Sequence, residues 1–217
     1  GIDRQICALL GITSAREPSG IIERAFPRPI GTLHIAVVGK YVTHGDAYLS
    51  LRHAIVLSAA RARHSVQIHW IEELTNDIIL APNFDIDDAV IAGAIIPGGY
   101  GTRGIDALLR SIRVCRTRQL PTLGICLGMQ LMCIDAVADI LPDDPNTTSA
   151  EFDPAATNPV VYKMQNTVDE AHAENMGGTM RLGSHPINII SPDSKLFELY
   201  NGVETVHERF RHRYEVN

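Results

Sequence analysis

The segment Gly124-Ile125-Cys126-Leu127-Gly128-Met129-Gln130 carries the clearest chemical signal in the chain. A short apolar run precedes it and an apolar stripe of helical period follows, so it reads strand, cysteine, helix. Glycines two residues before and two after the cysteine permit the sharp turn that exposes a nucleophile, as in the G-x-S-x-G elbow. A sulfur there lies at a helix N-terminus, where free N–H groups and the helix dipole favour the thiolate and lower its pKa. The Leu127 N–H faces the same point. A buried cysteine packed as a small hydrophobe is the other use of such a residue. The paired glycines favour the nucleophile.

Pro97-Gly98-Gly99-Tyr100-Gly101-Thr102-Arg103-Gly104 is the second candidate, because residues 99–104 fit G-x-G-x-x-G between a strand and a helix. Three features count against dinucleotide binding. The motif follows the third predicted strand instead of the first. Leu123 and Gly124 stand where an acid for the ribose is needed. Pro97-Gly98-Gly99 also turns more sharply than that fingerprint does. The glycines then serve either a tight strand-to-helix turn or a turn that aims a backbone N–H at a developing oxyanion. Acyl transfer by a thiolate further asks for a histidine and an acid to orient it. The nine histidines are His34, His44, His53, His64, His69, His172, His185, His207 and His212. None stands in an H-P-E arrangement. Ser184-His185-Pro186 comes nearest, but Ile187 follows, so His185 reads as a strand-edge residue.

Alternating strands and helices must position these groups. Residues 33–38 read as a short buried strand, 66–70 alternate like a second, and 90–96 and 122–125 read as a third and fourth. Leu51, Ala54, Ile55, Ala59 and Ala62 recur at helical spacing after Asp46, a candidate cap. Ile105, Leu108, Leu109, Ile112 and Cys115 form a second stripe, and Leu127, Leu131, Ile134 and Ala138 a third. The pattern predicts an α/β fold: an open, mostly parallel sheet with helices on both faces. After about residue 142 the alternation stops, and short strands are expected over 160–164, 178–182 and 186–190, with a short helix over 192–200. Residues 1–31, broken by Pro18, Pro27 and Pro29, read as a linker or arm.

Composition bounds the function. Of 217 residues, 19 are Lys or Arg and 25 Asp or Glu, a net charge of −6 that argues against nucleic acid as the main partner. No stretch approaches the ~18 apolar residues of a membrane span, and the N-terminal residues do not have the pattern of a signal peptide. Cys7, Cys115, Cys126 and Cys133 include no C-x-x-C, so no metal site is expected. Cys115 and Cys133 lie at apolar helix positions, which suits free thiols in a reducing, intracellular setting.

Taken together, Gly39-Lys40-Tyr41, Asp46-Ala47-Tyr48, residues 97–104, residues 124–130, Glu151-Phe152-Asp153, residues 177–183 and residues 211–217 resemble the class I glutamine amidotransferase domain of CTP synthase. The cysteine elbow alone resembles class I amidotransferases in general. The last three motifs, in this order, resemble CTP synthases. The resemblance covers residues 32–217 and implies the flavodoxin-like fold of that family, with residues 1–31 as the end of a preceding synthase domain and its linker. It implies that Cys126 attacks L-glutamine and forms a thioester, and that Gly99 and Leu127 supply oxyanion N–H groups. Leu127, Gly128, Met129 and Gln130 would line the glutamine site, with Gly99. Glu151 would take the substrate's α-ammonium and Arg213 its α-carboxylate, as charge and fork geometry suit.

The ammonia released would pass to an ATP-dependent synthase domain of the same polypeptide that converts UTP to CTP. The resemblance implies no cofactor in this domain, ATP and Mg with GTP as activator in the full enzyme, a cytoplasmic homotetramer, and neither nucleic acid nor membrane as partner. In the family the triad histidine and glutamate stand in an F-H-P-E pattern beyond the position of Asn217. Residues 1–217 are therefore expected to hold the nucleophile without its base. Another class I amidotransferase, a peptidase-like relative with the same elbow, and a catalytically silent regulatory or assembly domain are the alternatives.

Overall fold

The computed structural model describes Leu9, Gly11 and residues 28–44, 46–72, 90–164 and 181–217. The expected arm lies almost wholly outside the described residues, as do Cys7, His172, the motif residues Gly177, Gly178, Thr179 and Met180, and the first part of the strand expected over 178–182.

Four parallel strands form the centre: β1 (Thr32–Val38), β2 (Ser65–Ile71), β3 (Ile91–Ile96) and β4 (Thr122–Gly124), in the order β2-β1-β3-β4. The chain moves outward from β1 to β2 and then crosses to the other side at β3. The loops leaving β1 and β3 therefore diverge, and a crevice opens at the carboxyl ends of these two strands. β3 in turn brings the end of β4 alongside, with Ile96 opposite Gly124.

Among the described residues, three helices cover the sheet: α1 (Leu49–Arg61), α2 (Ile105–Thr117) and α3 (Leu127–Ile140). Ile105, Leu108, Ile112 and Cys115 of α2 join Leu127, Leu131 and Ile134 of α3 against Ala36, Val38, Ala94 and Ile96 in one buried cluster. Val37 is also fully buried but stands outside that cluster, because successive strand side chains alternate faces. Its side of the sheet is covered by α1, which buries Ile55 and Ala59. The expected α1 stripe is thus narrower than its spacing implied, since Ala54 and Ala62 are exposed. Asp46 does not cap α1. The helix starts at Leu49 with Tyr48 at its N-cap and no side-chain cap, and Asp46 contributes only its carbonyl to the Leu49 N–H at 3.2 Å. Asp135, 1% exposed, ties α3 to α2 by accepting from Arg113 Nε at 3.2 Å and Arg116 Nε at 2.8 Å.

The described residues after α3 add two small antiparallel sheets. β5 (Val161–Lys163) pairs with β8 (Tyr214–Val216), and β6 (Arg181–Asn188) pairs with β7 (Thr205–His212). Between β6 and β7 lies the short helix α4 (Lys195–Leu199), whose N-cap Ser194 accepts the Phe197 N–H. Glu215 joins the two sheets: it accepts a short hydrogen bond from the Tyr162 hydroxyl and an ion pair from Arg181 at 2.8 Å. Among the described residues no helix is long and apolar enough to cross a membrane.

Candidate active site

Cys126 occupies the turn between β4 and α3 with φ 55° and ψ −110°. A side chain at that φ is strained, and such strain persists only where the surroundings enforce it. Here they do. The Ile125 N–H is tied to the Ile96 carbonyl at 2.9 Å, and the first turn of α3 lies directly on β3. A Cβ on Gly128 would fall 1.9 Å from the Ile96 carbonyl oxygen, and one on Gly124 would fall 2.6 Å from the Met129 nitrogen. Both glycines are therefore demanded by close backbone approach, and the strand-to-helix elbow read from the sequence is present.

The loop after β3 lies against the same cysteine: a Cβ on Gly98 would stand 3.3 Å from Cys126 Cβ. The backbone N–H groups of Leu127 and Gly99 favour the thiolate form of Cys126. They do not prevail. Burial pushes the thiol above its ordinary value, the two N–H groups pull it down, and the Glu151 carboxylate pushes it up again. The sequence-based expectation of a depressed pKa is thereby corrected. Desolvation of the sulfur outweighs the helix N-terminus, so Cys126 needs a base to remove its proton.

Three charged side chains shape the loop over residues 97–104. Lys40, 6% exposed just past β1, donates from Nζ to the carbonyls of Tyr100 (3.1 Å) and Gly101. Arg103 donates to the Lys40 backbone carbonyl at 3.1 Å, and Glu151 Oε1 accepts the Gly101 N–H at 2.8 Å. Glu151 itself is set by a tight turn in which its N–H donates to the buried Ser149 hydroxyl at 3.1 Å. With a carboxylate on its central N–H and carbonyls turned to a lysine, the glycine loop offers no cradle for a phosphate. This disposes of the dinucleotide reading.

The other expected site residues divide by what their side chains touch. Leu127 is 1% exposed and its side chain belongs to the core, so only its N–H faces the sulfur. Gly128 packs on β3. Met129 is half-buried, with its sulfur 4.0 Å from Cys133 Sγ. Gln130 is buried and donates to the Tyr214 carbonyl at 3.0 Å, which fastens α3 to the residue following Arg213. Arg213 is exposed on the turn between β7 and β8, where its carbonyl accepts the Met164 N–H at 3.0 Å. No hydrogen bond among the described residues brings its guanidinium to Cys126.

Nor does one bring a histidine there. His34 and His69 pair with each other at 2.9 Å across β1 and β2, and His185 Nε2 meets the Leu182 carbonyl at 3.0 Å. His212 has its pKa lowered by burial first and by Arg181 second. Arg181 lies directly across the hairpin from His212, whereas side chains adjacent along a strand point to opposite faces. Lys40 stands in the Gly39-Lys40-Tyr41 motif, but the sequence reading gave it no role at the site, because its partners stand 60 residues and more away.

The model of the family "Glutamine amidotransferase class-I" matches residues 43–217. The chain belongs to the class I glutamine amidotransferase family. Its place there is with CTP synthases. It is 41% identical over 198 residues to the CTP synthase of Rhodococcus jostii and 36% identical over 222 residues to that of Acidobacterium capsulatum, covering 91% and 100% of this chain. The chain spans 32% and 38% of the lengths of these two proteins. The solved glutaminase domain of Trypanosoma brucei CTPS, with bound acivicin, superposes with a TM-score of 0.67 at 30% identity, covering 85% of this chain and 68% of that one.

Proposed function

We propose that residues 32–217 are the glutaminase domain of a CTP synthase, that residues 1–31 lead in from the synthase domain of the same polypeptide, and that the domain hydrolyses L-glutamine through a thioester on Cys126. The observation that carries this reading is the strained elbow that sets Cys126 at the start of α3 against the Gly98-Gly99 turn, where the backbone N–H groups of Gly99 and Leu127 favour its thiolate. An oxygen that becomes negative beside that sulfur finds two fixed donors, without any reorganisation at the moment of reaction.

The steps follow from this geometry. The thiolate adds to the side-chain carboxamide carbon of glutamine, and the carbonyl electrons move to oxygen, where the two N–H groups hold them. As the carbonyl re-forms, the C–N bond breaks and the nitrogen takes a proton and leaves as ammonia. Water then adds to the thioester, the S–C bond breaks, and glutamate departs. Because burial holds Cys126 in the thiol form, its proton needs an acceptor. We assign that role to the histidine, paired with a glutamate, of the F-H-P-E pattern that follows this region in the family.

Glu151 spends one carboxylate oxygen on Gly101, and the other suits the substrate's α-ammonium. Arg213 suits the α-carboxylate, and Gln130 supports it by anchoring Tyr214. Gly128 and Met129 complete the wall. The ammonia passes to the synthase domain, which uses ATP and Mg to aminate UTP, with GTP as activator, in a cytoplasmic homotetramer. No step at Cys126 runs through any of these.

The test uses the full-length protein with Cys126→Ala. Glutamine-dependent CTP formation should vanish while formation from free ammonia continues. If glutamine still supports CTP formation in that variant, the assignment is wrong.

A further inference from the structure

Gly99 can serve an oxyanion only if its peptide is held in one orientation, and a glycine flanked by Gly98 and followed by Gly101 cannot hold itself. Lys40 supplies that restraint. Its ammonium bridges the carbonyls of Tyr100 and Gly101, and its Cδ passes 3.8 Å from where a Cβ on Gly99 would stand. The hold is reciprocal, since Arg103 at the far end of the same loop donates back to the Lys40 carbonyl at 3.1 Å. The loops leaving β1 and β3, which diverge at the crevice, are thus braced to each other by two cations, each donating to backbone carbonyls of the opposite loop. A buried ammonium needs its donors satisfied and a countercharge near it. Two carbonyls provide the first, and the Glu151 carboxylate, which raises the lysine's proton affinity against burial, provides the second.

We infer that Lys40 is a positioning residue for the Gly99 half of the oxyanion hole: by fixing the carbonyls of Tyr100 and Gly101 it sets the peptide whose N–H faces Cys126. This rests on the glutaminase reading above. It predicts a particular kinetic signature. A misaimed donor weakens the transition state and leaves ground-state binding alone, so kcat falls and KM does not change. Alkylation of Cys126 by iodoacetamide, a displacement at saturated carbon, develops no oxyanion, so its limiting rate at high pH, where the sulfur is fully ionised, should not respond.

The experiment compares full-length parent, Lys40→Met, Arg103→Gln and Cys126→Ala for glutamine hydrolysis, ammonia-dependent CTP formation and alkylation rate. Removing one oxyanion donor outright typically costs about 10²–10³ in rate, so a misaimed one in Lys40→Met should lower kcat about 10- to 100-fold, with KM within about threefold and alkylation within about twofold of the parent. Arg103→Gln releases the brace from its exposed end and should give the same split, with kcat down about three- to tenfold. Unchanged kcat in both variants overturns the inference. So does a rise in KM alone, which would mean that Lys40 acts on substrate charge through Glu151. A parallel loss of alkylation also overturns it, because the elbow itself would then have collapsed. If Lys40→Met also loses ammonia-dependent synthesis, it has not folded and Arg103→Gln decides: the split supports the inference and an unchanged kcat overturns it. Glutamine turnover by Cys126→Ala would instead bring down the functional reading, and this inference with it.

Discussion

The two N–H groups that face the Cys126 sulfur are held in opposite ways. That of Leu127 is fixed by local sterics: it opens α3, and the helix can start there only because Gly124 and Gly128 let backbone lie on backbone. That of Gly99 is fixed from a distance, by Lys40, Arg103 and Glu151, with partners separated by 50 to 63 residues. One donor comes from packing that cannot give way, the other from hydrogen bonds that can be removed singly. The local half should therefore fail through the fold and the distant half through the rate.

The largest effect should follow Gly128→Ala. Its methyl would meet the Ile96 carbonyl at 1.9 Å, with backbone on both sides. Forcing added atoms into packed structure costs about 1–3 kcal/mol and sometimes more, so thermal unfolding of the variant should start several degrees below the parent, with activity lost alongside. A parent-like melting curve would mean that α3 can slide off β3. Gly99→Pro should cost about 10²–10³ in hydrolysis by deleting the N–H itself, with the melting temperature little changed. Gly99→Ala keeps the donor, and its methyl would press on Leu127 Cδ2 at 3.2 Å with Tyr41 Cε2 and Lys40 Cδ at ordinary contact distance, so its loss should be smaller. Equal losses in the two variants would show that shape at Gly99, not the donor, matters.

The smallest effect concerns the thiol. Burial raises its folded-state pKa above the unfolded value, so thiolate is scarce at neutral pH and grows as pH rises. In the 217-residue chain, alkylation of Cys126 should therefore inflect at higher pH than in the same chain unfolded in urea. Gly99→Pro should move the inflection further upward, because one of the two N–H groups stabilising the thiolate is gone. An inflection below the unfolded value would mean that the helix N-terminus outweighs desolvation after all.

The same division governs what could be read from the sequence. The elbow announces itself within five residues, because the turn and the two glycines it requires are contiguous. The α2 stripe of Ile105, Leu108, Ile112 and Cys115 is legible for a similar reason: one face of one helix meets one core. Lys40 and Arg103 leave no such trace, since neither motif shows that their loops meet. β7 was missed on different grounds. In Thr205–His212 no residue is fully buried, because a two-stranded hairpin has no second layer to cover either face, so the strand lacks an apolar alternation to read. The α1 stripe was over-read for the converse reason: alanine at helical spacing marks a helix face without requiring that the face be covered.

The strained backbone at Cys126 has a bearing on how this position can evolve. A non-glycine residue at φ 55°, ψ −110° carries a standing penalty of about 1–3 kcal/mol. Glycine there would relieve it and make the fold more stable while deleting the sulfur. Stability and chemistry therefore pull this codon in different directions. A lineage that came to rely on free ammonia would gain stability by losing its nucleophile, so drift away from cysteine would be quick. Keeping cysteine at this position takes selection on the chemistry of its sulfur, against the pull of stability.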